Sequence, residues 1–66
     1  MLITVNGKPS EIEEGISLGE LLLGLQIKRE RVAVEVNLNI VPKAAYDSRI
    51  LTDGDVIEIV QFVGGG

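Results

Sequence analysis

Apolar and polar positions along this chain repeat with two different periods, and each period predicts a different element. From Leu2 to Asn6, Ile3 and Val5 face one way while Thr4 and Asn6 face the other. Such period-two alternation predicts a half-buried strand. Asn6-Gly7 then reads as a hairpin turn, because both central positions of a type I′ turn need positive φ, and Lys8 to Glu14 is the returning strand. Pro9 lacks an N–H for a ladder and puts that strand at an edge.

The period then changes. Leu18, Leu21, Leu22 and Leu25 fall at i, i+3, i+4 and i+7, a single helical stripe. Ser17 and Glu20 have capping-box spacing, so the helix begins at Leu18. Gly19 and Gly24 each cost about 1 kcal/mol relative to Ala, which predicts a short helix held by packing, with Gly24 near its C-cap. After the polar connection Lys28 to Arg31, Val32, Val34 and Val36 alternate with Ala33, Glu35 and Asn37 as a third strand, and Ile40-Val41 forms a brief fourth that Pro42 ends. Lys43 to Leu51 has weak periodicity and reads as a surface connection that tucks Tyr46, Ile50 and Leu51 under the sheet. Thr52 to Asp55 is a turn with Gly54 at positive φ, and Val56 to Val63 is the longest strand.

Strand, strand, helix, strand, short strand, strand is an α+β order. It predicts a mixed four- to five-stranded sheet with one helix packed on one face. If the last strand pairs beside the first, the topology is a β-grasp. Residues 1–63 form that domain and residues 64–66 a glycine tail.

Composition narrows what such a domain does. At 66 residues there is room for one core, and 24 of the residues are Leu, Ile or Val, so the core is aliphatic. Cys and His are absent, which removes disulfides, thiol nucleophiles, imidazole bases and the usual zinc ligands. No catalytic residue and no metal site is expected, and an independent enzyme is disfavoured. A net charge of -4 and a pI near 4.5 would repel a phosphate backbone, so nucleic acid is a poor partner. Met1 to Asn6 has no basic leader character and no apolar run is long enough to span a bilayer. The expectation is a soluble cytoplasmic protein.

Two features are left as candidate chemistry. In the last strand Ile57, Ile59, Gln61 and Val63 share one side, while Val56, Glu58, Val60 and Phe62 share the other. If the helix covers Ile57 and Ile59, then Val60 and Phe62 form an apolar patch for a partner; the alternative is a central strand semi-buried on both faces. The second feature is Gly64-Gly65-Gly66. A frayed end or a cloning remnant accounts for it, and so does a probe that threads a narrow tunnel in another protein, with the Gly66 carboxylate as its reactive group. A carboxylate is a poor acyl donor at neutral pH and needs activation, for example as an adenylate. The chain has no Gly-rich phosphate loop to hold ATP, so it would be the substrate of an adenylating enzyme.

Taken in order, Ile3-Thr4-Val5-Asn6-Gly7, Ser17-Leu18-Gly19-Glu20-Leu21-Leu22, Val32-Ala33-Val34-Glu35-Val36-Asn37, Ile40-Val41-Pro42, Asp53-Gly54-Asp55 and the glycine tail resemble the ubiquitin-like sulfur carriers of the ThiS family, end to end. The resemblance implies a β-grasp fold and a carrier role in thiamine biosynthesis. A ThiF-like enzyme would adenylate Gly66 with Mg-ATP, and sulfur from a sulfurtransferase or cysteine desulfurase system would replace AMP. The resulting thiocarboxylate would donate sulfur to a ThiG-like thiazole synthase. By position, Gly65 and Gly66 match the family's terminal pair, and Gly64 stands where the family often has another small residue. Val60 and Phe62 fall on the face such proteins present to activating enzymes, and Glu58 would steer a basic partner. The competing readings are the small subunit of molybdopterin synthase, a ubiquitin-like protein modifier and a noncovalent binding module.

Overall fold

The computed structural model describes residues 1–62; Val63, Gly64, Gly65 and Gly66, the end of the expected last strand and the whole expected tail, lie outside the described residues. Five strands form one mixed sheet in the order β2-β1-β5-β3-β4. They are β1 (Leu2–Val5), β2 (Lys8–Glu11), β3 (Val32–Val36), β4 (Asn39–Val41) and β5 (Val56–Gln61), with helix α1 (Leu18–Gly24) between β2 and β3. β5 lies parallel to β1 and antiparallel to β3, so the last strand sits in the middle of the sheet beside the first. This is the β-grasp arrangement, and β2, which carries Pro9, is an edge strand as expected.

Local chemistry explains most element ends. Asn6 and Gly7 have φ of 48° and 82°, the left-handed pair that a tight hairpin needs. β2 ends at Glu11, short of the expected Glu14, because its ladder with β1 closes at Met1 and Ile12 and the chain then turns at Glu14-Gly15, with Gly15 at φ 85°. The capping box at α1 is complete: the Glu20 N–H donates to Ser17 Oγ at 3.1 Å and the Ser17 N–H donates to Glu20 Oε1 at 2.9 Å. The next two orphan donors go to the 43–51 connection, Leu18 N–H to the Arg49 carbonyl and Gly19 N–H to the Tyr46 carbonyl. At the other end Gln26 takes φ 61°, its N–H donates to the Leu23 carbonyl, and the Ile27 N–H donates to the Leu22 carbonyl. This is a Schellman motif with glutamine, not glycine, in the left-handed position. Gly24 is the last helical residue.

One face of the sheet is the core. Ile3, Val32, Val34, Val36, Val41 and Ile57 point to the helix and meet Leu18, Leu21 and Leu22. Tyr46 and Leu51 close the core from the 43–51 connection as expected. Two expectations fail there: Leu25, as the cap residue, and Ile50, in an isolated bridge to Ser17, are each 46% exposed. The helical stripe therefore contributes three leucines to the core instead of four. Among the described residues no helix is long and apolar enough to cross a membrane.

Candidate functional site

The site is built around the exit of β5. Thr4↔Val56 and Val5↔Ile57 are the rungs that join β5 to β1, after which the main chain of β1 turns away. Asn6 then takes over the pairing. Its N–H donates to the Ile57 carbonyl, its Oδ1 accepts from the Ile59 N–H at 2.7 Å and its Nδ2 donates to the Ile59 carbonyl at 3.2 Å. A side-chain amide thus imitates one more peptide of strand. Asn37 does the same at the start of β5: its N–H donates to the Val56 carbonyl, its Oδ1 accepts from the Val56 N–H, and its Nδ2 donates to Asp55 Oδ1 at 2.9 Å.

Asp55 anchors that end. It is buried and also accepts from the Thr52 N–H at 2.8 Å and the Thr52 hydroxyl at 3.1 Å, with Arg49 at 3.8 Å. Burial alone would raise its pKa, but the hydrogen bonds from Thr52 and Asn37 and the Arg49 charge outweigh it and hold the carboxyl below its ordinary value. At the far end the Phe62 N–H donates to the Arg31 carbonyl at 2.8 Å, and Lys43 Nζ lies 5.4 Å from the Phe62 ring centroid while donating to the Val32 carbonyl. β5 is held at both ends.

Three sequence-predicted site residues come together on the face opposite the helix. Glu58 is exposed, Val60 is 62% exposed and Phe62 is 54% exposed. The geometry thereby decides between the two faces of β5: Ile57 is fully buried and Ile59 half-buried, so the strand is not equally covered on both sides. Gly64, Gly65 and Gly66 lie outside the described residues.

Neighbours that the sequence did not single out complete this face. Ala33 pairs with Val60, and Glu35 pairs with Glu58 on one side and Ile40 on the other. Ile40 is 77% exposed, and the adjoining hairpin turn carries an exposed Leu38 at φ 70°. The alternation Ala33, Glu35 was the available signal for β3. What was missing was register, since nothing local says that Glu35 faces Glu58. Directly opposed like charges destabilise an antiparallel pair, and no ion pair among the described residues includes either glutamate.

The helical side offers different features. Arg29 holds Asp47 through two hydrogen bonds of 2.9 and 2.8 Å and lies 5.9 Å from the Tyr46 ring centroid. The ion pair passes close over Gly19, where a β-carbon would collide with both side chains. A surface depression of about 380 Å³ beside it is lined by Gly19, Leu22, Gln26, Ile27 and Lys28. Among the described residues no group of three or more acidic, His or Cys side chains could hold a metal ion.

The described residues thus place an exposed apolar and acidic face on the central strand of the sheet. The description "ThiS family" fits residues 3–66. The chain belongs to the ThiS family. The sulfur carrier protein ThiS of Bacillus subtilis is 39% identical over 66 residues, covering 98% of the chain and all of that protein. The crystal structure of the thiamine biosynthesis protein ThiS from Geobacter metallireducens superposes with a TM-score of 0.86 at 40% identity, covering 100% of both chains. A thiazole synthase of Magnetococcus marinus is 44% identical over 66 residues, and the chain spans only 20% of its length. The ThiS-family segment thus also occurs inside a much longer protein.

Proposed function

We propose that the chain is a sulfur carrier for thiazole formation in thiamine biosynthesis and that Gly66 is the carrying residue. The observation that carries this reading is a family match that runs through the glycine terminus, in a fold whose last strand, β5, is central in the sheet and ends at Gln61. The carboxylate of Gly66 attacks the α-phosphorus of ATP on a ThiF-like adenylating enzyme, and pyrophosphate leaves. The acyl adenylate then accepts the terminal sulfur of a persulfide from a sulfurtransferase or cysteine desulfurase, and AMP leaves. A thiol cleaves the acyl disulfide, leaving a thiocarboxylate, which is a soft nucleophile at neutral pH. A thiazole synthase takes that sulfur. ATP and Mg are used by the partner, and the chain is a substrate of one enzyme and a co-substrate of the next, not itself a catalyst.

Each part of the chain has a physical task in that cycle. Gly64 and Gly65 carry no side chain to obstruct a narrow tunnel. Val60 and Phe62 offer apolar area to the partner, and Glu58 contributes to an acidic field that speeds encounter with a basic surface. The test is to incubate the chain with a ThiF-like enzyme, ATP and a persulfide source and to record the intact mass. Replacement of one oxygen by sulfur is expected, and a variant extended by one residue beyond Gly66 is expected to stay unconverted while remaining folded. Equal conversion of the extended variant would show that Gly66 is not the site.

A further inference from the structure

Peptide groups along β5 point alternately to β3 and to β1. Val56 and Phe62 bond toward β3, at Asn37 and Arg31, whereas Ile57 and Ile59 bond toward β1, at Asn6. By that alternation the N–H and carbonyl of Gln61 also point to the β1 side. There the chain of β1 has already turned away, and among the described residues nothing bonds to either group. Gln61 is exposed and paired only through Val32 on the β3 side. A strand in the middle of the sheet therefore has, among the described residues, an open edge at its last residue, Gln61.

Resting on the reading of the chain as a sulfur carrier, we propose that an extended segment of the thiazole synthase pairs with this edge at the Gln61 peptide, adding a strand where β1 stops. Unpaired N–H and carbonyl groups on a strand edge are a template for strand addition. The need for a grip here follows from the tail's composition. Gly66 lies five positions beyond Gln61, a reach of about 17 Å when extended, and the last three residues have no side chain to hold. Aiming Gly66 means freezing glycines, the residues with the most backbone freedom to lose. Main-chain pairing upstream fixes the direction of the leash, and Gln61 offers the last described peptide with both its donor and its acceptor open. The thiazole synthase is the occupant because the relative from Magnetococcus marinus carries a segment like this chain within a protein of that name.

The test compares three altered chains with the parent in binding to thiazole synthase, in sulfur transfer to it and in binding to the adenylating enzyme. Gln61→Pro removes the N–H on the open side, where proline is tolerated because β3 does not use that donor. It is expected to fold and to bind about tenfold more weakly. Gln61→Ala keeps the peptide and is expected to bind as the parent does. A chain with an ester in place of the Val60–Gln61 amide removes the donor with little change of shape and is expected to follow Gln61→Pro, which keeps the test valid if proline perturbs the strand. Parent-like binding by the ester chain overturns the proposal, and so does equal weakening by Gln61→Ala, which would place the contact in the side chain. Weakening seen only with the adenylating enzyme also overturns it. If the parent chain binds thiazole synthase and transfers sulfur while the ester chain does so equally well, the carrier reading stands and the strand pairing falls. No binding by the parent chain defeats both.

Discussion

The two faces of the sheet follow opposite rules. Toward the helix, aliphatic side chains fill the space, and no buried side-chain nitrogen or oxygen among the described residues lacks a hydrogen-bond partner. Away from it, Val60, Phe62 and Ile40 stand in solvent and Glu35 faces Glu58 across the ladder. The first face is arranged for stability. The second forgoes stability that simple substitutions would recover, as the proposed encounter with a partner protein would require. Residues of β5 that point to opposite faces should therefore answer mutation in different ways.

Ile57→Ala and Val60→Ala test that difference most strongly. Ile57 is fully buried at the centre of the core, and its truncation is expected to cost about 3–4 kcal/mol, enough to threaten the fold of a domain this small. Val60→Ala, three residues on, should change stability by less than about 0.5 kcal/mol while weakening partner binding. Urea unfolding of both variants checks the pair. Similar losses would mean that the open face is as structural as the closed one.

The next largest effect belongs to Asp55, the buried polar group on which both the Thr52 turn and Asn37 depend. Asp55→Ala leaves those donors without an acceptor and is expected to cost about 2 kcal/mol. The pH dependence has a definite sign. The folded state holds this carboxyl below its ordinary value, so its contribution is fully present above the unfolded pKa of about 3.9 and is lost as pH falls through the folded value. Asp47 is also lowered, chiefly by its hydrogen bonds to Arg29, and titrates in the same direction from an exposed site. Stability measured from pH 6 down to pH 2 should therefore fall less steeply in Asp55→Asn than in the parent, with a residual slope owed to Asp47. An unchanged slope would mean that Asp55 is no better stabilised in the fold than in the unfolded chain.

These contrasts explain which parts of the molecule were legible in the sequence. Features set by neighbours in the chain were read directly: the Asn6-Gly7 turn, the Ser17–Glu20 capping box, the alternation of Val32, Val34 and Val36, and the turn at Gly54. The left-handed residues without glycine were not legible. Gln26, Asn37 and Leu38 adopt positive φ because a Schellman motif and a two-residue hairpin demand it, and that demand comes from packing on either side. Leu25 and Ile50 misled because their periodicity or apolar character was right while the helix cap at Leu25 and the isolated bridge at Ile50 leave each side chain nearly half exposed. At the site, the exposure of Val60 and Phe62 followed from period two, but the Asn6 clamp on Ile59, the facing glutamates and the open edge at Gln61 depend on which strands meet and where. Contacts of that kind span up to 53 positions in sequence, and no local pattern encodes them.

The smallest predicted effect returns to the open face. Glu58→Gln removes one of two charges in direct register without emptying any buried volume, so it is expected to raise stability by about 0.2–1 kcal/mol at low salt. Added salt screens exposed charges, so the gain should shrink toward zero as ionic strength rises past about 0.5 M. The same substitution should slow association with a basic partner, because one negative charge is removed from the approach surface. Thermal unfolding at several salt concentrations, set beside association rates, separates the two consequences. A Glu58→Gln chain that is both more stable and slower to associate would locate the stability forgone on this face in the charge that recruits the partner; a chain that is neither would leave the facing glutamates as a solvated pair of no consequence.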